Sequence, residues 1–149
     1  MKSKPIGLSL PIQKMFWENI SKVKNPIFFK FMPHESIPKE LDKNSKLFFY
    51  LSNSGKLIVG ESQIQKTELI NVEDFVKNFK DKILIPLTEF YEYVGGRKDK
   101  LLVIFFLKDI KEYNNPVKLN YSVTMGGKYI RKKEYSSWKN QHTKYHHQA

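Results

Sequence analysis

Seven consecutive apolar residues, Leu101 to Leu107, constrain the fold of this chain more than any other feature. The run is too short to span a membrane as a helix, which takes about 20 apolar residues. It also lacks the apolar–polar alternation of a strand that has one solvated face. A strand of this kind needs cover on both faces, so the run predicts a strand in the middle of a sheet.

Segments with strand or helix periodicity flank this run. The predicted strands are 6–10, 27–32, 47–51, 57–64, 101–107 and 117–123, and the predicted helices are 12–23, 72–79 (capped by Asn71) and a short helix from Thr88 to Gly95-Gly96. Short links join most of the strands, which favours an α+β fold, a mixed or antiparallel β-barrel of about six strands with two or three peripheral helices. We expect one domain over residues 1–131 and a basic, flexible tail over residues 132–149, which shows no periodicity.

Positive charge is concentrated in the second half of the chain. The net charge is +11, and residues 95–149 hold 12 basic and 4 acidic side chains, so that segment alone carries +8. A one-sided basic surface attracts polyanions and speeds their capture. The alternative interpretation is that the lysines only confer solubility.

Several classes of site are excluded by the residue types present. The chain has no cysteine, so it has no disulfide, thiolate zinc site or cysteine nucleophile. It also lacks a Walker loop, a dinucleotide-binding glycine motif and the common hydrolase and zinc-protease motifs. His142, His146 and His147 have no carboxylate nearby that would complete a metal site. We therefore expect no metal, no cofactor, no signal peptide and no membrane partner, and a cytoplasmic location.

Lys30 stands out because it interrupts an aromatic strand. It is surrounded by Phe28, Phe29, Phe31 and Met32, and an ammonium group cannot face a dry core. We expect Lys30 to line a cleft, with Tyr50 and Ser52 from the next strand close by. A cation, an aromatic ring and a hydroxyl are the groups that stack a base and contact a phosphate. The alternative is a lysine that extends to solvent from a sheet edge.

Two basic segments that contain paired glycines are possible phosphate contacts. They are Gly95-Gly96-Arg97-Lys98 and Gly126-Gly127-Lys128. Glycine lets backbone N–H groups approach an anion closely. The alternative interpretation is that these glycines only end a helix or form a turn. Tyr and basic residues alternate over 121–135, a composition typical of single-strand or RNA surfaces. The predicted phosphate contacts are Arg97, Lys98, Lys128, Arg131 and Lys132, and Tyr129 is predicted to contact a base.

Gly60 and Glu61 lie in the middle of a predicted strand. A glycine at such a position indicates a bulge or the close approach of another group. Glu61 is open to two interpretations, a general base working with Lys30 or a structural carboxylate paired with a lysine.

The segments 27–30, 47–52 and 59–61, and above all 109–118 leading to 126–131, resemble an uncharacterised archaeal family of PUA-like proteins. The resemblance covers most of residues 4–131. The order of elements is more distantly similar to the ASCH and EVE branches, barrels whose relatives bind RNA or modified bases in a cleft. The ASCH signature G-x-K-x-x-E-x-R is incomplete here, since residues 21–26 read Ser-Lys-Val-Lys-Asn-Pro. The resemblance therefore implies a fold and a ligand class but no reaction.

Together these features favour a module that binds RNA or another single-stranded or modified nucleic acid, acting as a monomer or weak homodimer. Two alternatives remain open. One is a small enzyme acting on a nucleoside or nucleotide through Lys30 and Glu61. The other is an accessory protein-interaction domain whose charge is only solubilising.

Overall fold

A computed structural model describes residues 4–138, in which six strands form a single mixed sheet. The strands are β1 (Gly7–Ile12), β2 (Ile27–Lys30), β3 (Lys46–Leu51), β4 (Leu57–Asn71), β5 (Leu101–Lys118) and β6 (Lys128–Ile130). The helices are α1 (Lys14–Ile20), α2 (Val72–Phe79) and α3 (Leu87–Val94), with single 3-10 turns at Pro33–Glu35 and Lys80–Lys82. Residues 132–138 are also helical and are called the C-terminal helix below.

The strand order in the sheet is β2-β5-β4-β3-β1-β6. The β1 and β3 strands pair in parallel and the other neighbours pair antiparallel. The predicted α+β class, with about six strands in a mixed sheet and helices outside, is confirmed. The sheet is not closed into a barrel, because within residues 4–138 the edge strands β2 and β6 do not pair with each other. These edge strands are only four and three residues long.

The apolar run Leu101–Leu107 lies in the sheet interior, as predicted, with β5 paired to β2 on one side and β4 on the other. The strand continues as far as Lys118, with shifts of register against β4 and a positive φ of 55° at Asp109. The separate strand predicted over 117–123 is wrong. Val117 is the second-last residue of β5, whereas Leu119 and Val123 are buried but lie in a segment that is not a strand. Their alternation therefore reflects burial without strand pairing.

Two apolar clusters occupy the two sides of β3. Leu47 and Phe49 belong to the larger cluster and Phe48 and Tyr50 to the smaller one, because successive side chains of a strand point to opposite faces. The C-terminal helix covers the smaller cluster. The ring of its Trp138 is 4% exposed and meets Phe48 edge-on at a centroid distance of 5.2 Å.

This packing corrects the expectation of a flexible tail starting at residue 132. The sequence 132–138 has only two large apolar side chains, Tyr135 and Trp138, three residues apart and therefore on one helix face. That face is narrow, so periodicity alone did not reveal it. Residues 139–149, and the three histidines among them, lie outside the described residues.

Local signals at Gly60, Asn71 and Gly95 are confirmed. A Cβ on Gly60 would lie 2.5 Å from the ring of Trp17, and the β3–β4 and β4–β5 registers shift close to it. The Asn71 side chain accepts a 2.7 Å bond from the backbone N–H of Asp74 and caps α2. Gly95 ends α3 with a φ of 53°. Thr88 is not the cap of α3, since this helix begins at Leu87 after Pro86, whose ring sets a helix-compatible φ.

Candidate functional site

A cleft of about 450 Å³ opens between α1, α3 and the ends of β1 and β2. Aromatic rings form part of its lining, and its charged groups come from β2 and from α3 with the residues that follow α3. The aromatic lining residues are Phe16, Phe28, Phe29 and Tyr93, and the charged or hydroxyl-bearing ones are Lys30, Ser52, Glu89, Glu92 and Arg97.

Lys30, the last residue of β2, lines this cleft with only 7% of its surface exposed. Its Nζ donates a 2.9 Å hydrogen bond to the Pro11 carbonyl. Burial, together with the nearby Arg97 charge, lowers the pKa of Lys30 to about 8. The side chain therefore does not extend into solvent from the sheet edge, which was the alternative interpretation.

Arg97 follows α3 and is held in place by the end of that helix. Its Nε donates to the Val94 carbonyl at 3.4 Å, and its Nη2 donates to the Tyr93 carbonyl. The guanidinium lies 4.2 Å from the Phe31 ring centroid and 4.8 Å from that of Tyr93. These contacts fix a second cation at the cleft.

Tyr93 joins α3 to Phe31, the residue that follows β2. Its hydroxyl accepts a 2.8 Å hydrogen bond from the backbone N–H of Phe31, and its ring stacks on the Phe31 ring at 5.3 Å. Burial raises the pKa of the Tyr93 hydroxyl, so this group stays neutral at physiological pH. Tyr93 thereby fixes one wall of the cleft.

Ser52 lines the cleft but Tyr50 does not. The backbone N–H of Ser52 donates to the Ile12 carbonyl at 2.9 Å, which holds the residue beside the end of β1. Tyr50 lies within β3 and is buried in the smaller apolar cluster. Its alternation places it on the opposite face from Phe49, whereas Ser52 lies beyond the end of the strand.

A second, more open depression of about 560 Å³, called the β6 groove, contains Lys128, Tyr129 and Arg131. Lys133, Glu134 and Ser137 of the C-terminal helix complete it. The Lys128 amine is 3.7 Å from a Glu134 carboxylate oxygen and 3.6 Å from the Tyr121 ring centroid. The Tyr129 hydroxyl accepts a 3.3 Å bond from the Glu40 backbone N–H.

The predicted contact residues thus fall into two places. Lys30, Ser52 and Arg97 line the cleft, whereas Lys128, Tyr129 and Arg131 line the β6 groove. Lys98 and Lys132 are exposed neighbours of these two sets.

The cleft and the groove are linked by a short piece of chain. Met125 lines the cleft and Lys128 lines the groove, and three residues span at most about 11 Å. The turn between them needs Gly127, which has a φ of 81° and whose Cβ would lie 2.6 Å from the Ser9 carbonyl oxygen. These two observations explain why Gly127 is a turn glycine.

Glu61 is a structural carboxylate. It is 6% exposed and accepts hydrogen bonds from Lys46 Nζ (2.7 Å), the Tyr113 hydroxyl (2.7 Å) and the Tyr135 hydroxyl (2.8 Å). Burial alone would raise the pKa of Glu61, but these donors outweigh it and lower the pKa. Burial, together with the contact with Glu61, raises the pKa of Tyr113 and of Tyr135.

Lys30 and Glu61 do not form the acid/base pair considered from the sequence. Lys30 bonds to Pro11 at the cleft, whereas Glu61 bonds to Lys46 and two tyrosines at the smaller cluster. General acid/base work by a pair requires both groups to reach the same reacting atoms. The hypothesis that Lys30 and Glu61 act as an acid/base pair is therefore wrong.

The α3 side of the cleft was not predicted from the sequence. Glu89, Glu92 and Tyr93 are three and four residues apart, so they share a helix face, and that face lines the cleft. The helical spacing of these residues can be recognised in the sequence. No feature of the neighbouring sequence indicates that this helix face lies at the same cleft as Lys30. Within residues 4–138 no group of three or more acidic or histidine side chains is placed to hold a metal ion. No helix of that range is long and apolar enough to cross a membrane.

Solved structures with the same fold include the ASCH protein of Zymomonas mobilis. The TM-score is 0.73 at 14% identity, covering 90% of this chain and 94% of that one. A serine-to-alanine mutant of the same protein gives a TM-score of 0.75 at 15% identity, covering 94% and 99%. The N-terminal domain of Staphylothermus marinus McrB gives a TM-score of 0.58 at 16% identity, covering 91% and 96%. The fold is therefore of the ASCH and PUA-like class.

Within that class, the chain belongs to the family described as "Domain of unknown function (DUF365)", whose profile matches residues 5–132. An uncharacterized protein of Methanocaldococcus jannaschii is 27% identical over 100 residues, covering 60% of this chain and 93% of that protein. The resemblance to an uncharacterised archaeal PUA-like family is confirmed.

Proposed function

We propose that this protein is a cytoplasmic module that binds RNA or another single-stranded or modified nucleic acid, with one nucleotide entering the cleft. The observation that carries the proposal is the combination of aromatic walls with two fixed cations, Lys30 and Arg97, in one cavity. Its volume of about 450 Å³ falls within the range of small-molecule sites, about 300–1,000 Å³.

Two kinds of contact support the entry of a nucleotide. A base stacked on an aromatic side chain is stabilised by about 1–3 kcal/mol, and Phe16 and Tyr93 offer rings at the cleft. Lys30 and Arg97 supply donors for a phosphate or a base carbonyl, and Glu89 and Glu92 can accept from base amino groups.

The rest of the strand would follow the surface outside the cleft. Lys98 is next to Arg97, and Met125 connects the cleft to the β6 groove with Lys128 and Arg131. Lys132 is exposed at the start of the C-terminal helix. The similarity to PUA-like folds, whose ASCH and EVE branches include relatives that bind RNA or modified bases, agrees with this class of ligand.

Fluorescence anisotropy with labelled tRNA, single-stranded RNA and single-stranded DNA tests the proposal. Binding should weaken steeply with salt, because Lys and Arg contacts release counterions from the phosphates. Lys98→Gln should reduce the slope of log K against log salt by about 0.7 for single strands. The matched control is Lys77→Gln, which removes the same charge from an exposed position on α2 outside the cleft and should leave the slope unchanged. Absence of binding to all three ligands at low salt contradicts the proposal.

A further inference from the structure

The ammonium group of Lys30 is buried without a carboxylate partner. Its side chain is enclosed at the cleft with 7% exposure, and its hydrogen bond goes to the neutral Pro11 carbonyl. Within residues 4–138, no carboxylate lies within ion-pair distance of Lys30. Buried charges in proteins are normally paired or bound to ions, since desolvating one alone costs several kcal/mol. This points to an anion that belongs in the cleft.

A second cation faces the same space. Arg97 is fixed by two carbonyls at the end of α3 and by the rings of Phe31 and Tyr93, and these bonds use only Nε and one Nη2 hydrogen. A guanidinium has five N–H donors, so donors remain for a ligand. Lys30 and Arg97 both line this one cleft. An anion bound between them would relieve their repulsion.

Because the two cations form no ion pair with the glutamates of the cleft in the described part of the chain, the number of cations favours one class of anion. An internal phosphodiester carries one negative charge and would balance one of the two cations. A phosphate monoester carries about −1.5 to −2 at pH 7 and offers three acceptor oxygens, which matches both. Charge-assisted hydrogen bonds of this kind are about twice as strong as neutral ones.

The two glutamates of the cleft belong to α3. Neither Glu89 nor Glu92 forms an ion pair with Lys30 or Arg97 in the described part of the chain. Glu92 is exposed and Glu89 is half-buried. Their carboxylates can accept hydrogen bonds from the amino groups of a base, while the two cations donate to the phosphate.

We infer that the cleft recognises a phosphate monoester, so that the nucleotide entering it is one with a free terminal phosphate. This inference rests on the proposed function and narrows its ligand. The same chemistry occurs at the phosphorylated end of a strand and in a free mononucleotide, and the experiment below separates the two sources.

The test compares four versions of one labelled single-stranded RNA 12-mer: with a 5′-phosphate, with a 3′-phosphate, with hydroxyl groups at both ends, and circularised. At least one phosphorylated end should bind the wild-type protein about tenfold or more tightly than the hydroxyl-ended and circular forms. Lys30→Met should abolish the preference, and Lys77→Met should keep it. The comparison between RNA ends uses the wild-type protein alone, so it does not depend on the folding of a variant.

Competition with AMP, adenosine and inorganic phosphate distinguishes the sources. A strand end as ligand predicts that AMP competes more weakly than the phosphorylated RNA, whereas a mononucleotide as ligand predicts the reverse, and adenosine should fail in both cases. Equal binding of all four RNAs would overturn the inference and leave the proposed function standing. Binding of AMP without any RNA binding would support the phosphate monoester and contradict the proposed function. No binding of RNA, AMP or phosphate would contradict both.

Discussion

Replacing Lys30 by methionine should stabilise the protein at neutral pH. The pKa of Lys30 falls from 10.5 to about 8 on folding, because burial and Arg97 disfavour the charged form. One unit of pKa corresponds to 1.36 kcal/mol, so the folded protein carries a penalty of about 3 kcal/mol at pH 7. Methionine has a similar shape without the charge. The variant leaves the Pro11 carbonyl without this donor, which costs about 1 kcal/mol.

The pH dependence gives the sharper test, because it isolates the titration of Lys30. Between pH 8 and 10.5 the unfolded chain binds a proton that the folded protein has released, so wild-type stability gains from Lys30 as pH rises. Lys30→Met should therefore be more stable than wild type by about 2 kcal/mol at pH 7. This difference should fall by about 2.5 kcal/mol between pH 7 and pH 10, so that wild type is then slightly the more stable of the two.

Urea unfolding at several pH values from 7 to 10, in buffers without phosphate, measures this difference. Groups that titrate in both proteins cancel in the comparison. Lys77→Met is the control, and its difference from wild type should stay near zero and flat, because exposed substitutions usually change stability by less than about 0.5 kcal/mol. A Lys30→Met difference that does not change with pH would refute the reasoning about a buried charge.

Three further substitutions test the packing against the sheet. Glu61→Gln should lower the free energy of unfolding by about 2–3 kcal/mol at pH 7, because it breaks a buried ion pair. The pKa of Glu61 is lowered from 4.5 in the folded protein, so wild type should lose this advantage as pH falls below that value. Denaturant titrations at pH 3–7 measure the difference. Gly60→Ala should cost about 1–3 kcal/mol by the same assay at pH 7, because its Cβ would lie 2.5 Å from the Trp17 ring. Trp138→Ala should cost about 3 kcal/mol and lower the melting temperature in calorimetry, because the ring is 4% exposed against Phe48; an unchanged melting temperature would mean that the C-terminal helix does not stabilise the sheet.

Features that depend on neighbouring residues could be predicted from the sequence. The run Leu101–Leu107 was identifiable as an interior strand because nothing in it could face water. Gly60 marked a close approach, and Asn71 marked a helix start through its bond to Asp74. Lys30, a lysine in an aromatic strand, indicated a cleft because an ammonium group is strongly disfavoured in an apolar core.

Features that depend on distant residues could not be predicted in this way. Glu61 is held by Tyr135, which is 74 positions away in the chain, so its structural role was undecided until both were placed. Tyr50 seemed to approach the cleft, but the alternation of β3 turns it to the other face. The C-terminal helix has only two large apolar residues, and it is stabilised by the sheet face it covers, which local periodicity does not report.

The cleft as binding site is tested most directly by NMR. The ¹⁵N-labelled protein is titrated with a 5′-phosphorylated single-stranded RNA, and the amide shifts are mapped on the structure. The largest changes should fall at the cleft, at Phe29 to Phe31, Ser52 and Tyr93 to Arg97, with smaller changes along the β6 groove from Lys128 to Arg131. Changes confined to the β6 groove, or no changes at saturating RNA, would contradict binding in the cleft.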